Sequence, residues 1–265
     1  MRALIALPWW VLVVGLLAVC FGTVALTRWY VHRWPEDRRV QAAALATTLM
    51  AVFGALFAFL SAFLITNEWT QHNTAETAIA NESAAVARLA WAADTPDVAR
   101  ADIVAALARY VRRSVQGDWP AMADGKTSGL PSDRPFRDLQ TLVRSQATEH
   151  AVEAPSATEM FAALDGVAQG RRDRLVAANR VMPTAIYAVV MLSGLALIVN
   201  AVIVAASRPW RVGRIIGILT VVVALDLALV LVISGPFRGS YVASSEPLAR
   251  VGTQLDAGWF GVSGR

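Results

Sequence analysis

Asp226 is the residue whose chemistry asks for an explanation first, because it is an acid set inside the long apolar run Ile215–Ile233. On insertion scales a carboxylate at mid-membrane depth costs about 2.5–3.5 kcal/mol, so a hydrogen-bonding partner or a water path is expected beside it. Asn200 and Ser193 in the preceding apolar run, and Thr47 and Thr48 in an earlier one, lie at similar depth when counted from the ends of their runs. Two roles fit this set. One is interhelical hydrogen bonding between Asp226 and Asn200 or Ser193; the other is a polar lining for a permeation path.

Other chemistry finds little support. His32, His72 and His150 are scattered, with no second ligand at metal-binding spacing. The serines have no Gly-x-Ser-x-Gly turn or histidine–carboxylate partner, and no glycine-rich phosphate loop is present. The single cysteine, Cys20, sits within an apolar run, which leaves neither an intrachain disulfide nor a thiolate metal site. The sequence therefore argues against an enzyme, and implies neither cofactor nor metal. Its 24 basic residues, all arginine except Lys126, are spread among loops and helix faces, so the net charge of +4 does not point to nucleic acid.

With 56% hydrophobic residues gathered into blocks, the chain reads as an all-α membrane protein with four transmembrane helices. Residues 1–66 form a first hairpin, with spans at about 3–26 and 41–66. Residues 181–233 form a second, with spans at about 181–207 and 215–233. Between them, residues 67–180 form a polar, helical insert expected to be an antiparallel bundle, and residues 234–265 are a polar tail. Helical spacing continues without a break from the second span toward Asp94. Thr95 and Pro96 are placed to start the next helix, and Gly117-Asp118-Trp119-Pro120 to stop it. The stretch 123–135 reads as a loop exposing Ser128 and Ser132, and Ser156 to Glu159 form a capping-box pattern. If both ends of the insert join adjacent spans, Glu76 and Arg171 or Arg172 come to equal height, and an ion pair between them is expected.

The second span carries small residues at four-residue intervals, including Ala51 and Ala55, which favour close helix approach within one chain or between copies. It also carries Phe53 and Phe57, a candidate hydrophobic gate if the span surrounds an axis. Arginines 28, 33, 38 and 39 in the first short loop, and 208, 211 and 214 in the third, place those loops in the cytoplasm and the insert outside it. The expected setting is the plasma membrane. The partners implied are the lipid bilayer, further copies of the chain and a protein that binds the insert.

Trp119-Pro120, preceded by Tyr110-Val111-Arg112, and the exit from the fourth span, Gly235-Pro236-Phe237-Arg238-Gly239 followed by Ser245-Glu246-Pro247-Leu248, resemble the bestrophin-like domain family of bacterial membrane proteins. Trp119, Pro120, Pro236, Phe237 and Gly239 are the motif positions. The family's usual exit has an acid shortly before Pro-Phe, where this chain has Ser234-Gly235. The resemblance implies a relation to bestrophins, pentameric anion channels whose large domain lies in the cytosol, the reverse of the arginine count. The function so implied is an oligomeric ion channel. A membrane-anchored helical interaction or sensing module is the alternative from the residues themselves.

Overall fold

The computed structural model describes residues 8–95, 98–148, 152–180, 182–206, 212–239 and 241–260. Pro96, His150, Arg208 and Arg211, which carried expectations above, lie outside them. The described residues fold into helices and turns, and four helices are long and apolar enough to cross a membrane. They divide into two compact units, one of residues 1–70, 181–234 and 239–241, the other of residues 71–180, 235–238 and 242–265.

The first unit contains α1 (Trp9–His32), the first half of α2 (Glu36–Ala92), α7 (Thr184–Ala205) and α8 (Val212–Val232). Only residues 33–35 separate α1 from α2, a far shorter loop than the polarity of the segment predicts. The aromatic residues there extend the helix instead: Arg33 lies over the Trp29 ring at 3.6 Å, and Tyr30 packs edge-on against Trp34. Pro35 accepts the first backbone bond of α2, and Glu36 and Asp37 favour its positive N-terminal end. Helix α1 packs on both α7 and α8, which pack on each other. Leu16 and Cys20 of α1, Phe57 and Leu64 of α2, Ile198 of α7 and Leu227 of α8 share the core. On α8 the residues Ile215, Ile218, Val222, Leu225 and Leu229 form an exposed apolar stripe at three- and four-residue spacing.

The second unit holds the rest of α2, α3 (Arg100–Arg113), a π-helical turn (Ser114–Asp118), α4 (Trp119–Ala123), α5 (Asp133–Ala147), α6 (Ala154–Asn179) and α9 (Glu246–Asp256). Its core joins Val86 and Leu89 of α2, Ile103 and Leu107 of α3, Leu139 and Val143 of α5, Met160 and Val167 of α6, and Leu248 and Leu255 of α9. The tail is thus more than a polar closing segment, since α9 turns Leu248, Val251 and Leu255 into this core.

Local starts and stops also differ from expectation. Thr95 bonds back to the Ala92 carbonyl and so closes α2, while α3 begins at Arg100. Gly117 to Pro120 does not end the helix: the chain widens into the π-turn and continues as α4, with Pro120 in the first turn, where a missing N–H is best tolerated. Gly117 is required here, because a Cβ would stand 2.6 Å from Pro131 Cβ. Helix α6 starts before the capping box, with Pro155 in its first turn, and Glu159 serves an ion pair with Arg88 instead. Ser132, expected at the surface, is fully buried.

Candidate functional site

In the first unit the polar side chains are held by helix-to-helix hydrogen bonds. Ser61 of α2 donates to Asp226 Oδ2 of α8, and Tyr187 of α7 donates to the Glu68 carboxylate of α2. Asp226 therefore has a partner, but it is neither of the two expected. Asn200 Nδ2 donates to the Ala46 carbonyl at 2.9 Å, and Ser193 returns its hydroxyl to the Val190 carbonyl at 2.8 Å. Thr47 and Thr48 likewise bond back to the carbonyls of Ala43 and Ala44 on their own helix. Each of these three interhelical bonds, to Ser61, Glu68 and Ala46, involves α2.

The side of α2 that faces its own chain is a regular stripe: Ala43, Ala46, Phe57, Ser61, Leu64 and Glu68 are buried. Phe57 is 8% exposed and stands against Gly194 and the core, so the structure places it, with half-buried Phe53, inside the chain and not on an open face as the gate expectation requires. The phenylalanines that do face outward are Phe59, 70% exposed, and Phe63, 51% exposed. Beside them the outward ribbon carries Gln41, Leu45, Thr48, Ala51, Val52, Ala55, Ala62, Thr66 and Thr70, all exposed and none charged. In the second unit the outward residues of the same helix continue as Asn73, Thr77, Ala80, Asn81 and Ala84, again without charge. Of the acids of this part of α2, Glu82 is buried, whereas Glu76, which accepts from His72 at 3.2 Å, is exposed beside the ribbon.

The second unit contains a fully buried charged cluster that the sequence did not flag. Arg174 of α6 donates through Nε to Glu82 Oε2 at 2.7 Å and through Nη2 to Ser114 Oγ at 2.7 Å, and its Nη2 lies 3.4 Å from Asp118 Oδ2. Tyr110 donates to the other Glu82 oxygen, and Ser132 donates to Asp118 from both its hydroxyl and its backbone N–H. The Trp119 ring covers the guanidinium at 4.9 Å. Burial alone would lower the pKa of Arg174, but the Glu82 carboxylate, with Tyr110 and Asp118, outweighs it and holds the group above its ordinary value. Burial, reinforced by the Glu82 charge, pushes the Tyr110 hydroxyl well above its usual value. Every member is bonded to another, so the cluster ties α2, α3, the π-turn, α5 and α6 together and leaves no group directed at a substrate.

The expected Glu76 pair with Arg171 or Arg172 is not formed. Arg171 bonds Asp133 at 2.5 Å, and Arg172 donates to Gln169 at 2.7 Å and comes within 3.8 Å of Asp165. Equal height along two helices was too weak a constraint, because it ignores which way each side chain points around its helix. The positions of Glu68 and Glu82 on the buried stripe of α2 were a usable signal: an acid in register with core residues must find a buried partner.

Of the motif residues, Trp119, Pro120, Pro236 and Phe237 belong to the second unit. Trp119 and Phe237 stack edge-to-face with ring centroids 5.9 Å apart, and Trp119 Nε1 donates to the Ala243 carbonyl at 3.0 Å. Gly235 and Gly239 take φ of +84° and +82°, which side-chain-bearing residues rarely adopt, so the turn that presents Pro236 and Phe237 depends on both glycines.

The family model described as Bestrophin-like domain matches residues 9–248. Three solved structures of a bacterial bestrophin homolog from Klebsiella pneumoniae resemble the fold. A leucine-to-threonine variant has a TM-score of 0.72 at 11% identity, covering 92% of this chain and 97% of that one. An isoleucine-to-threonine variant has 0.64 at 13%, covering 92% and 98%, and the zinc-phased structure 0.62 at 13%, covering 92% and 95%. A comparison with curated protein sequences finds none that matches. The match over residues 9–248, on a fold shared with the Klebsiella homolog, shows that this chain belongs to the bestrophin-like family of membrane proteins.

Proposed function

We propose that the protein is a bestrophin-type channel, an assembly of identical chains in which α2 of each copy turns its uncharged ribbon toward a shared axis and lines a path for ions, in the first instance anions. The observation that carries this reading is the ribbon itself. A helix face opposite the core of a soluble unit is normally charged, and a face toward lipid is uniformly apolar. The outward face of α2 is neither: Leu45, Val52, Phe59 and Phe63 alternate with alanine and threonine and give way to threonine and asparagine, and the one carboxylate exposed beside that face between Gln41 and Ala84 is Glu76. Small residues allow copies to approach closely, and hydroxyl and amide groups suit a water-filled passage. Phe59 and Phe63 take over the role of hydrophobic constriction that the sequence assigned to Phe53 and Phe57. Asp226, bound to Ser61, holds α8 against α2 and acts on conduction only through the position of that helix.

Bestrophins, to which the family and the fold relate this chain, are channels and not enzymes, which supports the same reading. Four spans arranged as two hairpins around the helical insert accompany it, with the apolar stripe of α8 toward lipid. For orientation the arginine count keeps the insert outside the cytoplasm. Arg171, Arg172, Arg174 and Arg180, which approach the membrane from the insert, weigh less in that count because long domains translocate largely regardless of charge. A cysteine in place of Ser128, which is exposed, should react with a membrane-impermeant thiol reagent on intact cells; labelling only after lysis reverses the orientation. The function is tested by chloride flux into proteoliposomes, together with the mass of the protein in mild detergent. Flux from a particle of several chain masses is expected. A monomer without flux would instead leave the membrane-anchored interaction module.

A further inference from the structure

We propose that a groove between the end of α3 and the start of α5 binds a small, multiply charged phosphate group. Arg109, Arg112 and Arg113 of α3 and Arg134 of α5 line it, with Gln116 and Asp138, around a space of about 520 Å³. That volume suits a small ligand, and the lining holds no aromatic ring on which a base could stack, Pro135 being its one apolar residue. What it offers is four guanidinium groups against one carboxylate, and guanidinium pairs bidentately with phosphate oxygens.

The arginines of the groove differ from most others in the unit. Arg88, Arg100, Arg171, Arg174 and Arg250 each meet a carboxylate of their own. Arg109, Arg113 and Arg134 have no carboxylate within ion-pair distance among the described residues, and Arg112 reaches only Asp256, at 3.5 Å on the rim. Asp138 stands four residues after Arg134 on α5, yet no ion pair closes between them. Arg109 and Arg113 are also four residues apart on one helix face, an arrangement of like charges that weakens a helix unless a counter-ion answers it. Arg134 and Pro135 belong to the first turn of α5, so the positive end of that helix adds to the field. A bound anion relieves the repulsion that this placement creates. The proposal is independent of ion conduction, since its groups all belong to the second unit.

Isothermal titration of the full-length protein in detergent with inorganic tripolyphosphate tests it. Saturable binding that weakens with salt is expected. Arg113→Gln or Arg134→Gln should each lower the affinity about tenfold, as loss of one charge-assisted contact does, whereas Arg250→Gln should leave it unchanged. None of the three side chains is buried, so the variants should keep the helical circular dichroism of the parent. Repeating the titration in nanodiscs separates the sources of the phosphate. Binding lost in cardiolipin discs but kept in phosphatidylcholine discs identifies a lipid headgroup as the occupant; equal binding in both identifies a soluble phosphate. Absence of saturable binding, or binding unchanged in the Arg113→Gln/Arg134→Gln double variant, overturns the proposal.

Discussion

Asp226 shows both the reach and the limit of reading single residues. A carboxylate in an apolar run announces itself, but a serine such as Ser61 fits any membrane helix by bonding its own backbone, so nothing in the sequence marked it as the partner. Register between helices decides such pairs, and register is set by packing. Ser61→Ala and Asp226→Leu should each destabilise the detergent-solubilised protein by about 1 kcal/mol, and the double variant by hardly more than either alone. Additive losses would mean that the two side chains do not act on each other. The cluster around Arg174 was hidden for a related reason: Glu82, Asp118 and Arg174 sit among many exposed charges and differ from them only in the face they occupy. It carries a pH signature. Since Tyr110 is pushed above its unfolded value of 10.0, the folded state keeps the proton longer than the unfolded chain. Its contribution to stability is therefore whole below about pH 10 and lost as pH rises beyond it. Thermal unfolding of Tyr110→Phe should lose part of this alkaline sensitivity, while an unchanged pH profile would remove Tyr110 from the account.

At the scale of elements, the long helix was the most legible feature. The spacing of apolar residues continues past the membrane stretch, and α2 runs unbroken from Glu36 to Ala92. Boundaries governed by contacts at a distance were less so. The π-turn at Ser114–Asp118 replaces a predicted stop because Asp118 is drawn inward by Arg174 and Ser132, and α9 escaped notice because its short amphipathic pattern lies within a glycine- and serine-rich tail. The crossing of α6 over α2 was equally silent. It rests on Gly170, where a Cβ would come 2.6 Å from Glu82 Cα and 2.7 Å from Glu82 N, atoms of a helix backbone that cannot yield as a side chain can. Gly170→Ala should therefore destabilise the protein by about 1–3 kcal/mol despite the better helix propensity of alanine. A denaturant midpoint equal to or above the parent's would show that the two helices have room to spare.

Over the whole molecule, composition and block hydropathy were enough for an all-helical membrane protein, and two short motifs were enough for the family, because Trp119 and Phe237 are fixed by a contact that tolerates little change around it. What composition could not carry is the use of the fold. That use turns on α2, whose inward stripe is committed to its own chain and whose outward ribbon is uncharged yet not uniformly apolar. Ala62 lies on that ribbon between Phe59 and Thr66, while the native thiol, Cys20, is fully buried and can be replaced by alanine without opening the face. The most direct measurement is chloride efflux from proteoliposomes made with the Ala62→Cys variant on a Cys20→Ala background, before and after a small hydrophilic thiol reagent. Lining of the conduction path by α2 predicts efflux that falls sharply once the reagent is added, with no change in the Cys20→Ala parent; efflux that persists undiminished after the introduced thiol is shown by mass to be fully modified would contradict it.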